Sequence, residues 1–403
     1  MNNKKKIFGV VIATSDYKGI FYQNKELFNQ LSKDFGTIYV LNMIKFKFRE
    51  KNIKIKNQKL FPRNFYFLNF SKIETFVNFF RDKQMFAIQY LDKNPDFFRI
   101  FYLLKKVNIK NIMVSNLGNF GNKLNPEFHL SNVFAFKHYY EKGFYYIFRI
   151  LTIFNIFPKV DLLFESNLEV IKSHNNGLSR KFERLFPIFK ISYFRKIKKI
   201  NSIFFDQFVN IKSSKKKNYI LYIDVPINHG DRVLREGDVP LQIQIKFYQN
   251  LNFFLKRLSN VFKRKVIIGV HPSSKIALKY LSSFEISSKR TIDLIPNCEL
   301  AVVTHSSLVS SAVIYNKKIL SIRSKYLGNF ISTQTEKYKN ALRLLSLDID
   351  ENTSINKNYI VKKMNLSKKK YKKYLHTRII TDGKNKSYET ITRTIKKNFF
   401  NKI

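Results

Sequence analysis

The chain has 403 residues, 44% of them hydrophobic, which is enough for two ordinary domains with sizeable cores. Its formal net charge of +46 indicates an anionic partner, such as a nucleic acid, a membrane surface or a small substrate. The single cysteine, Cys298, excludes disulfide frameworks and cysteine-based zinc sites, and no segment has the pattern of a nucleic-acid-binding module. We therefore predict a two-domain protein of the reducing cytoplasm that does not bind nucleic acid.

The first part of the chain alternates apolar strands with amphipathic helices. Helices are predicted at Tyr22–Phe35, Ile73–Phe80 and Phe97–Leu104, and strands at Ile7–Thr14, Thr37–Asn42, Asn64–Leu68, Met85–Leu91, Asn111–Ser115 and Asp161–Glu165. The first apolar run is too short to cross a bilayer. The alternation predicts a Rossmann-like domain over residues 1–190. No GxGxxG motif follows its first strand, so a dinucleotide site is not expected there, and no cofactor is predicted.

Two stretches of this domain stand apart from the alternation. The Gly/Asn loop after Asn111–Ser115 contains Asn116, Gly118 and Asn119, and its position at a strand end predicts either a cleft lining or a plain turn. The stretch Phe134–Phe157 is dense in aromatic residues but carries charges. It is predicted as a core helix with one partly exposed face, and the alternative is an interfacial helix with aromatic and basic anchors.

A second strand and helix series begins at Tyr219, after a basic linker region predicted at residues 191–218. Strands are predicted at Tyr219–Pro226, Lys265–Val270, Leu300–Thr304 and Lys318–Ile322, and helices at Leu241–Phe262, Lys289–Ile295 and Ser307–Tyr315. This series predicts a second Rossmann-like domain over residues 219–355. Residues 356–403 are predicted as C-terminal helices.

Two strands of the second domain end abruptly in small polar residues. The first is followed by His271, Pro272 and Ser273, and the second by Thr304, His305, Ser306 and Ser307. In open α/β sheets, ligands bind at the carboxyl ends of the strands, and the start of a following helix favours a phosphate. We therefore predict a nucleotide or phosphate site formed by His271, Pro272, Ser273, His305, Ser306 and Ser307. The alternative is that the imidazoles are structural and the serines only cap a helix.

Three dipeptides of the second domain occur in a recognisable order: Glu236-Gly237, His271-Pro272 and Ser306-Ser307. In this respect the stretch Tyr219–Ile322 resembles bacterial GT-B glycosyltransferases, and within them the CMP-sugar group of sialyltransferases and polysialyltransferases. It departs from that group at Arg235, where an acid is expected. Teichoic-acid glycerophosphotransferases also have His-Pro and Ser-Ser, but an Asp usually follows their serines, whereas Leu308 follows here.

The resemblance implies an α/β fold with two Rossmann-like domains facing a cleft, followed by C-terminal helices. The N-terminal domain would hold the acceptor and the C-terminal domain the nucleotide-sugar. Glu236 would be the general base, with Asp231 as second choice, and His271 would assist departure of the phosphate. The alternative is that the acids of this loop pair with Arg232 and Arg235. A metal site of Asp224, His229 and Asp231 matches no standard signature, so no metal is predicted.

The predicted function is therefore transfer of a sugar, preferably from a CMP-sugar, to a surface-polysaccharide or lipid-linked acceptor. Contact with the inner face of the plasma membrane would suit the basic charge. Two alternatives remain open at this point. One is a glycerophosphotransferase or sugar epimerase of the same architecture, and the other is a non-enzymatic basic protein that binds membrane or nucleic acid.

Overall fold

A computed structural model describes residues 8–13, 21, 24–42, 65–68, 73–81, 85–90, 98–115, 143–144, 147–148, 150–175, 194–208, 219–228, 232–233, 236–271, 274–351, 355–381 and 384–399. The chain divides into two compact units. The first unit comprises Met1–Ile203 together with Thr381–Ile403, and the second comprises Phe204–Ile380. The second unit is thus inserted into the first along the chain.

The first unit is built on a parallel seven-stranded sheet in the order β3-β2-β1-β4-β5-β6-β7. Its strands are β1 (Phe8–Ala13), β2 (Ile38–Asn42), β3 (Phe65–Leu68), β4 (Met85–Gln89), β5 (Lys110–Ser115), β6 (Leu162–Glu165) and β7 (Ile197–Lys199). The described helices before the second unit are α1 (Lys25–Phe35), α2 (Ile73–Phe80), α3 (Phe98–Lys106) and α4 (Leu168–Asn175).

Both faces of this sheet are covered, because successive side chains of a strand point to opposite sides. In β4, Phe86 and Ile88 pack with the buried face of α1, whereas Met85 and Ala87 pack with α2 and α3. All five residues of β4 are buried. This double burial explains why the strands of the first unit are apolar runs rather than alternating sequences.

The second unit is built on a parallel six-stranded sheet in the order β10-β9-β8-β11-β12-β13. Its strands are β8 (Tyr219–Ile223), β9 (Lys265–Gly269), β10 (Glu285–Ile286), β11 (Leu300–Val303), β12 (Lys318–Arg323) and β13 (Ser346–Asp348). The helices are α5 (Ile203–Phe208), which begins at the division between the units, α6 (Leu241–Phe262), α7 (Lys275–Tyr280), α8 (Thr291–Leu294), α9 (Val309–Ile314), α10 (Gly328–Leu342), α11 (Lys357–Lys368) and α12 (Tyr371–Arg378). Short 3-10 turns occur at Ile295–Asn297 and Lys325–Leu327.

The longest helix of the second unit, α6, has 22 residues and one continuous buried face. Residues Phe247, Leu251, Leu255 and Leu258 recur at intervals of three or four and pack on β8 and β9. The helix ends at Lys263, which adopts a left-handed conformation with φ of 50°. The central strand β11 is buried along its whole length, as its apolar run predicts.

The course of the chain differs from the predicted linker and C-terminal segments. Strand β7 and helix α5 lie within residues 191–218, and the division between the units falls between Ile203 and Phe204. The predicted block 356–403 is shared between the units. Helices α11 and α12 belong to the second unit, and the last helix, α13 (Ser387–Phe399), returns to the first. The reason is an apolar stripe, because Ile391 and Ile395 are buried in the core beside α1.

In the aromatic stretch Phe134–Phe157, Phe148 and Phe157 are buried against α3, while Ile147, Phe154 and Ile156 are exposed. Residues 134–142 of that stretch lie outside the described residues. None of the helices in the described part of the chain combines the length and apolar character needed to span a bilayer.

Candidate functional site

The carboxyl edge of the second sheet brings the two predicted strand tips close together. Ile223 of β8 is in register with Gly269 of β9 on one side and with Val303 of β11 on the other. Gly269 and Val303 are therefore separated by two strand spacings, about 10 Å. The order of the strands reverses between β8 and β11, which is the topological switch point at which such sheets bind ligands. His271 follows β9, and His305 and Ser306 follow β11, at this same edge.

A buried carboxylate holds the first tip in place. Asp224 directly follows β8 and is 3% exposed. Its Oδ2 accepts a hydrogen bond from the backbone N–H of His271 at 3.2 Å, and its Oδ1 accepts one from the hydroxyl of Tyr248 at 3.4 Å. Its own N–H donates to the carbonyl of Gly269 at 3.1 Å. Asp224 thus fastens the turn that carries His271 to the central strand.

Burial of the Asp224 side chain changes its protonation. Loss of solvent raises the pKa of Asp224 to about 6, and the hydrogen bond from the N–H of His271 offsets part of that rise. The sequence suggested Asp224 only as one of several acids in a loop. Its positioning role was missed because its partners come from distant parts of the chain. One available signal was its place directly after the apolar run of β8.

The side chain of His271 is half-buried at the start of the turn that leads into α7. The backbone N–H of Ser274 closes this turn by donating to the carbonyl of His271 at 2.8 Å. Both backbone polar groups of His271 are therefore held, the N–H by the carboxylate of Asp224 and the carbonyl by the N–H of Ser274. The imidazole projects from a backbone position that the fold defines well.

The second tip forms a hydrogen-bonded turn that leads into α9. The Oγ of Ser306 accepts a hydrogen bond from the N–H of Leu308 at 3.2 Å, and the N–H of Ser310 donates to the carbonyl of Ser307 at 3.1 Å. Ser306 thus closes a local turn ahead of α9, and among the described residues no side-chain hydrogen bond caps that helix at its N-cap residue, Leu308. This turn does not exclude binding of an anion, because Ser306 accepts through a lone pair, and its hydroxyl hydrogen can still be donated.

The side chain of Glu236 contacts the start of α10. Its Oε2 forms an ion pair with the Nε of Arg232 at 3.2 Å, and its Oε1 accepts a hydrogen bond from the backbone N–H of Phe330. The approach is close because Gly328 has no side chain. A Cβ on Gly328 would collide with the Oε2 of Glu236. Glu236 therefore binds the first turn of a helix, where a negative charge is favoured.

Phe330 also connects Glu236 to the second tip. The ring of His305 packs edge-on against the ring of Phe330, with 6.3 Å between ring centroids and 79° between ring planes. The structure thus brings Glu236 and His305 to the same residue. The partner of Glu236 is Arg232, four positions earlier. Residues at this spacing are neighbours on a helix, so the sequence already contains a signal for this ion pair.

Several predicted site residues lie outside the described residues, and their roles stay predictions. They are Asp231, Pro272, Ser273, Asn116, Gly118 and Asn119, together with His229 of the metal set that was considered. Within the described residues, no group of three or more His, Cys, Asp or Glu side chains could hold a metal ion.

Sequence comparison gives no match, since neither a family model nor a curated protein matches the chain. Solved structures do match over nearly its whole length. Apo UGT2 of Phytolacca americana aligns with a TM-score of 0.53 and 6% identity, over 98% of this chain and 99% of the other. The H444N variant of the wall teichoic acid polymerase TagF aligns with a TM-score of 0.51 and 13% identity, over 98% and 90%.

A Listeria monocytogenes protein to which UDP-N-acetylglucosamine 2-epimerase activity is attributed aligns with a TM-score of 0.51 and 10% identity, over 98% and 97%. Identities this low show a shared fold alone. The chain is an α/β protein with two Rossmann-like units, and its fold is that of the GT-B glycosyltransferases and UDP-N-acetylglucosamine 2-epimerases. The predicted fold class is thereby confirmed.

Proposed function

We propose that this protein is a GT-B glycosyltransferase that moves a sugar from a nucleotide donor to a glycan or lipid-linked acceptor. The observation that carries the proposal is the switch-point edge of the second sheet. There the His271 turn is fastened by Asp224, and it lies about two strand spacings from the Ser306 tip. This arrangement supplies imidazole, hydroxyl and backbone donors in one place, as binding of a nucleotide phosphate requires.

In the proposed reaction, Ser306 and Ser307 bind the donor phosphate and His271 donates a hydrogen bond or proton to it as it leaves. Negative charge develops on that phosphate in the transition state, so donors fixed beforehand lower the barrier. Asp224 does not meet the substrate. It positions the His271 backbone and therefore the imidazole.

The proposed reaction also needs a general base for the acceptor hydroxyl, and the candidates are Glu236 and Asp231. Both oxygens of Glu236 are engaged, one by the guanidinium of Arg232 and the other by the backbone N–H of Phe330, so this carboxylate holds the start of α10 in place. We assign Glu236 to positioning the first turn of α10 and retain Asp231 as the base. This reverses the order expected from the sequence, in which Glu236 was the first choice of general base and Asp231 the second.

The preferred donor is a CMP-sugar. The reason is that Glu236, His271 and Ser306 of this chain begin three dipeptides that follow one another in the order found in the resembling CMP-sugar group. A membrane-facing location with a lipid-linked acceptor belongs to the same proposal and rests on the charge of +46. One alternative has specific support. The fold matches the wall teichoic acid polymerase, and the Listeria protein to which an epimerase activity is attributed, about as well as it matches the plant protein. A glycerophosphotransferase or epimerase therefore remains the second candidate.

A thermal-shift screen with CMP, CDP, UDP and GDP tests the nucleotide site, since a ligand that binds only the folded protein raises its melting temperature. We expect one nucleotide to raise the melting temperature of the protein at constant ionic strength. In His271→Ala, at least a tenfold higher concentration of that nucleotide should be needed for the same rise. Equal small shifts with all four nucleotides, removed by salt, would instead support the non-enzymatic basic protein.

The base is tested by comparing Asp231→Asn with Glu236→Gln, using the nucleotide found in the screen and the matching labelled donor. We expect Asp231→Asn to lower turnover by about two to four orders of magnitude while nucleotide binding survives. Glu236→Gln should chiefly lower stability, by about 1–3 kcal/mol, because Arg232 loses its charged partner. Normal turnover in Asp231→Asn would reject that residue as base. Conversion of donor without any acceptor product would favour the epimerase.

A further inference from the structure

A basic cavity lies within the first unit, lined by residues of α13 and of the end of β7. Its volume is about 220 Å³. It is lined by three cationic side chains, those of Lys198, Lys199 and Arg393, and none of its described lining residues is acidic. We call it the α13 pocket. Small-molecule pockets usually measure about 300–1,000 Å³, so the α13 pocket fits a small anion better than a whole nucleotide-sugar.

The pocket is held together by a buried amide. Asn201 follows β7 and is 3% exposed. Its Nδ2 donates a hydrogen bond to the carbonyl of Asn385, and its Oδ1 accepts one from the N–H of Thr381. Asn201 thereby ties both described ends of the segment before α13 to the carboxyl end of β7. The wall of the pocket is therefore set by internal contacts of the first unit.

The lysine, arginine and threonine side chains of the lining can act as hydrogen-bond donors to an anion. Thr390, Arg393 and Thr394 lie on one side of α13, because residues three and four positions apart are neighbours on a helix. The adjacent side of α13 is anchored in the core by Ile391 and Ile395. Arginine binds the planar edge of a phosphate through two parallel hydrogen bonds, and hydroxyls complete such sites.

Two other cations of this region make contacts outside the pocket. Lys396 pairs with Asp34 at 2.7 Å, and Lys196 donates to Asn398 at 2.8 Å. Lys199 is part of a recessed wall, and burial lowers its pKa. An anion in the pocket would favour the charged form of that ammonium group.

We propose that the α13 pocket is a binding site for a phosphomonoester, separate from the nucleotide site of the proposed function. The occupant is the phosphate of a small metabolite or of a lipid headgroup, and the chemistry of recognition is the same in both. The inference does not rest on the proposed glycosyl transfer, because all the described lining residues of the pocket belong to the first unit.

Isothermal titration of the full chain with glucose 1-phosphate and with inorganic phosphate, at ionic strength held constant with chloride, tests the proposal. We expect saturable binding of one anion per chain. The double variant Lys199→Gln with Arg393→Gln should bind at least tenfold more weakly. The matched control is Lys33→Gln with Lys110→Gln, which removes the same charge from two exposed positions of the same unit and should change affinity less than twofold.

Arg393→Lys provides a second variant at an exposed position, where misfolding is not expected. It keeps the charge but loses the two-pronged donor, and we expect a three- to tenfold loss of affinity. Vesicles that contain phosphatidic acid distinguish the two sources. Sedimentation with them that depends on Lys199 and Arg393, without binding of glucose 1-phosphate, would assign the site to a lipid.

Two results would overturn the proposal. One is the absence of saturable binding of glucose 1-phosphate, phosphate and vesicles alike. The other is an equal loss of affinity in the control pair, which would show attraction to overall charge. Nucleotide binding in the double variant separates this test from that of the proposed function, since it should match the wild type whichever way the phosphate titration comes out.

Discussion

Asp224→Asn tests whether the carboxylate under the His271 turn is desolvated in the folded second unit. Burial raises the pKa of Asp224 from 3.8 to about 6. Between these values the folded unit holds a proton that the unfolded chain has released. The contribution of Asp224 to stability is therefore fully present below about pH 4 and is lost as the pH rises through about 6. A gap of about two pKa units corresponds to about 3 kcal/mol.

The variant cannot ionise, but it keeps an oxygen that accepts from the N–H of His271. Urea unfolding of Asp224→Asn and wild type at pH 4 and pH 8, followed by far-ultraviolet circular dichroism, gives the relevant quantity. Other titrating groups contribute equally to both proteins and cancel in the difference. We expect that difference to move by about 2–3 kcal/mol in favour of the variant between the two pH values.

Asp238→Asn, at an exposed acid of the same loop, controls for the change in net charge. A difference between Asp224→Asn and wild type that does not depend on pH would refute the reasoning. It would mean that the Asp224 carboxylate is already stabilised as an anion in the folded unit. Its link to His271 would then be a charged hydrogen bond at neutral pH, and its removal would destabilise the protein.

Three further changes have defined outcomes. Gly269→Ala should cost about 1–3 kcal/mol in urea unfolding, because the new Cβ would lie 2.5 Å from the Cγ2 of Thr291; Thr291→Ala in the same chain should restore most of the loss, and no rescue would show that the contact is not the cause. Ser306→Ala should cost about 1 kcal/mol through loss of the hydrogen bond from the Leu308 N–H, and an unchanged unfolding midpoint would contradict this. Burial raises the pKa of Glu165 to about 7, so stability of the first unit should fall as pH rises from about 4.5 through 7; Glu165→Gln should remove that part of the pH dependence, and an identical pH profile in the variant would rule it out.

The strands that carry the candidate site could be predicted because they are buried on both faces. The predicted Lys265–Val270 and Leu300–Thr304 differ from β9 and β11 by one residue each. Continuous apolar runs bounded by polar residues leave little freedom in such assignments. The short strands β7, β10 and β13 were not predicted. Their residues are largely polar, and they are strands only because a longer neighbour supplies hydrogen bonds.

The contacts inside the site were harder to predict from the sequence. The place of His271 and Ser306 at one sheet edge follows from the order of strands, which the alternation predicts. The hydrogen bond from His271 to Asp224 joins residues 47 positions apart, and only the fold brings them together. The return of α13 to the first unit could have been suspected from the spacing of Ile391 and Ile395, which marks an amphipathic helix rather than a solvated one.

The insertion of one unit into the other sets the order in which the protein can fold as it is synthesised. Residues 204–380 are complete, and able to collapse on their own sheet, before α13 has left the ribosome. Until then the core beside α1 lacks Ile391 and Ile395, and the ion pair of Asp34 with Lys396, 362 positions apart, cannot form. Domains usually fold in the order of synthesis. Here the first unit keeps part of its apolar core exposed to solvent until α13 has been synthesised, and it completes its folding when α13 packs against α1.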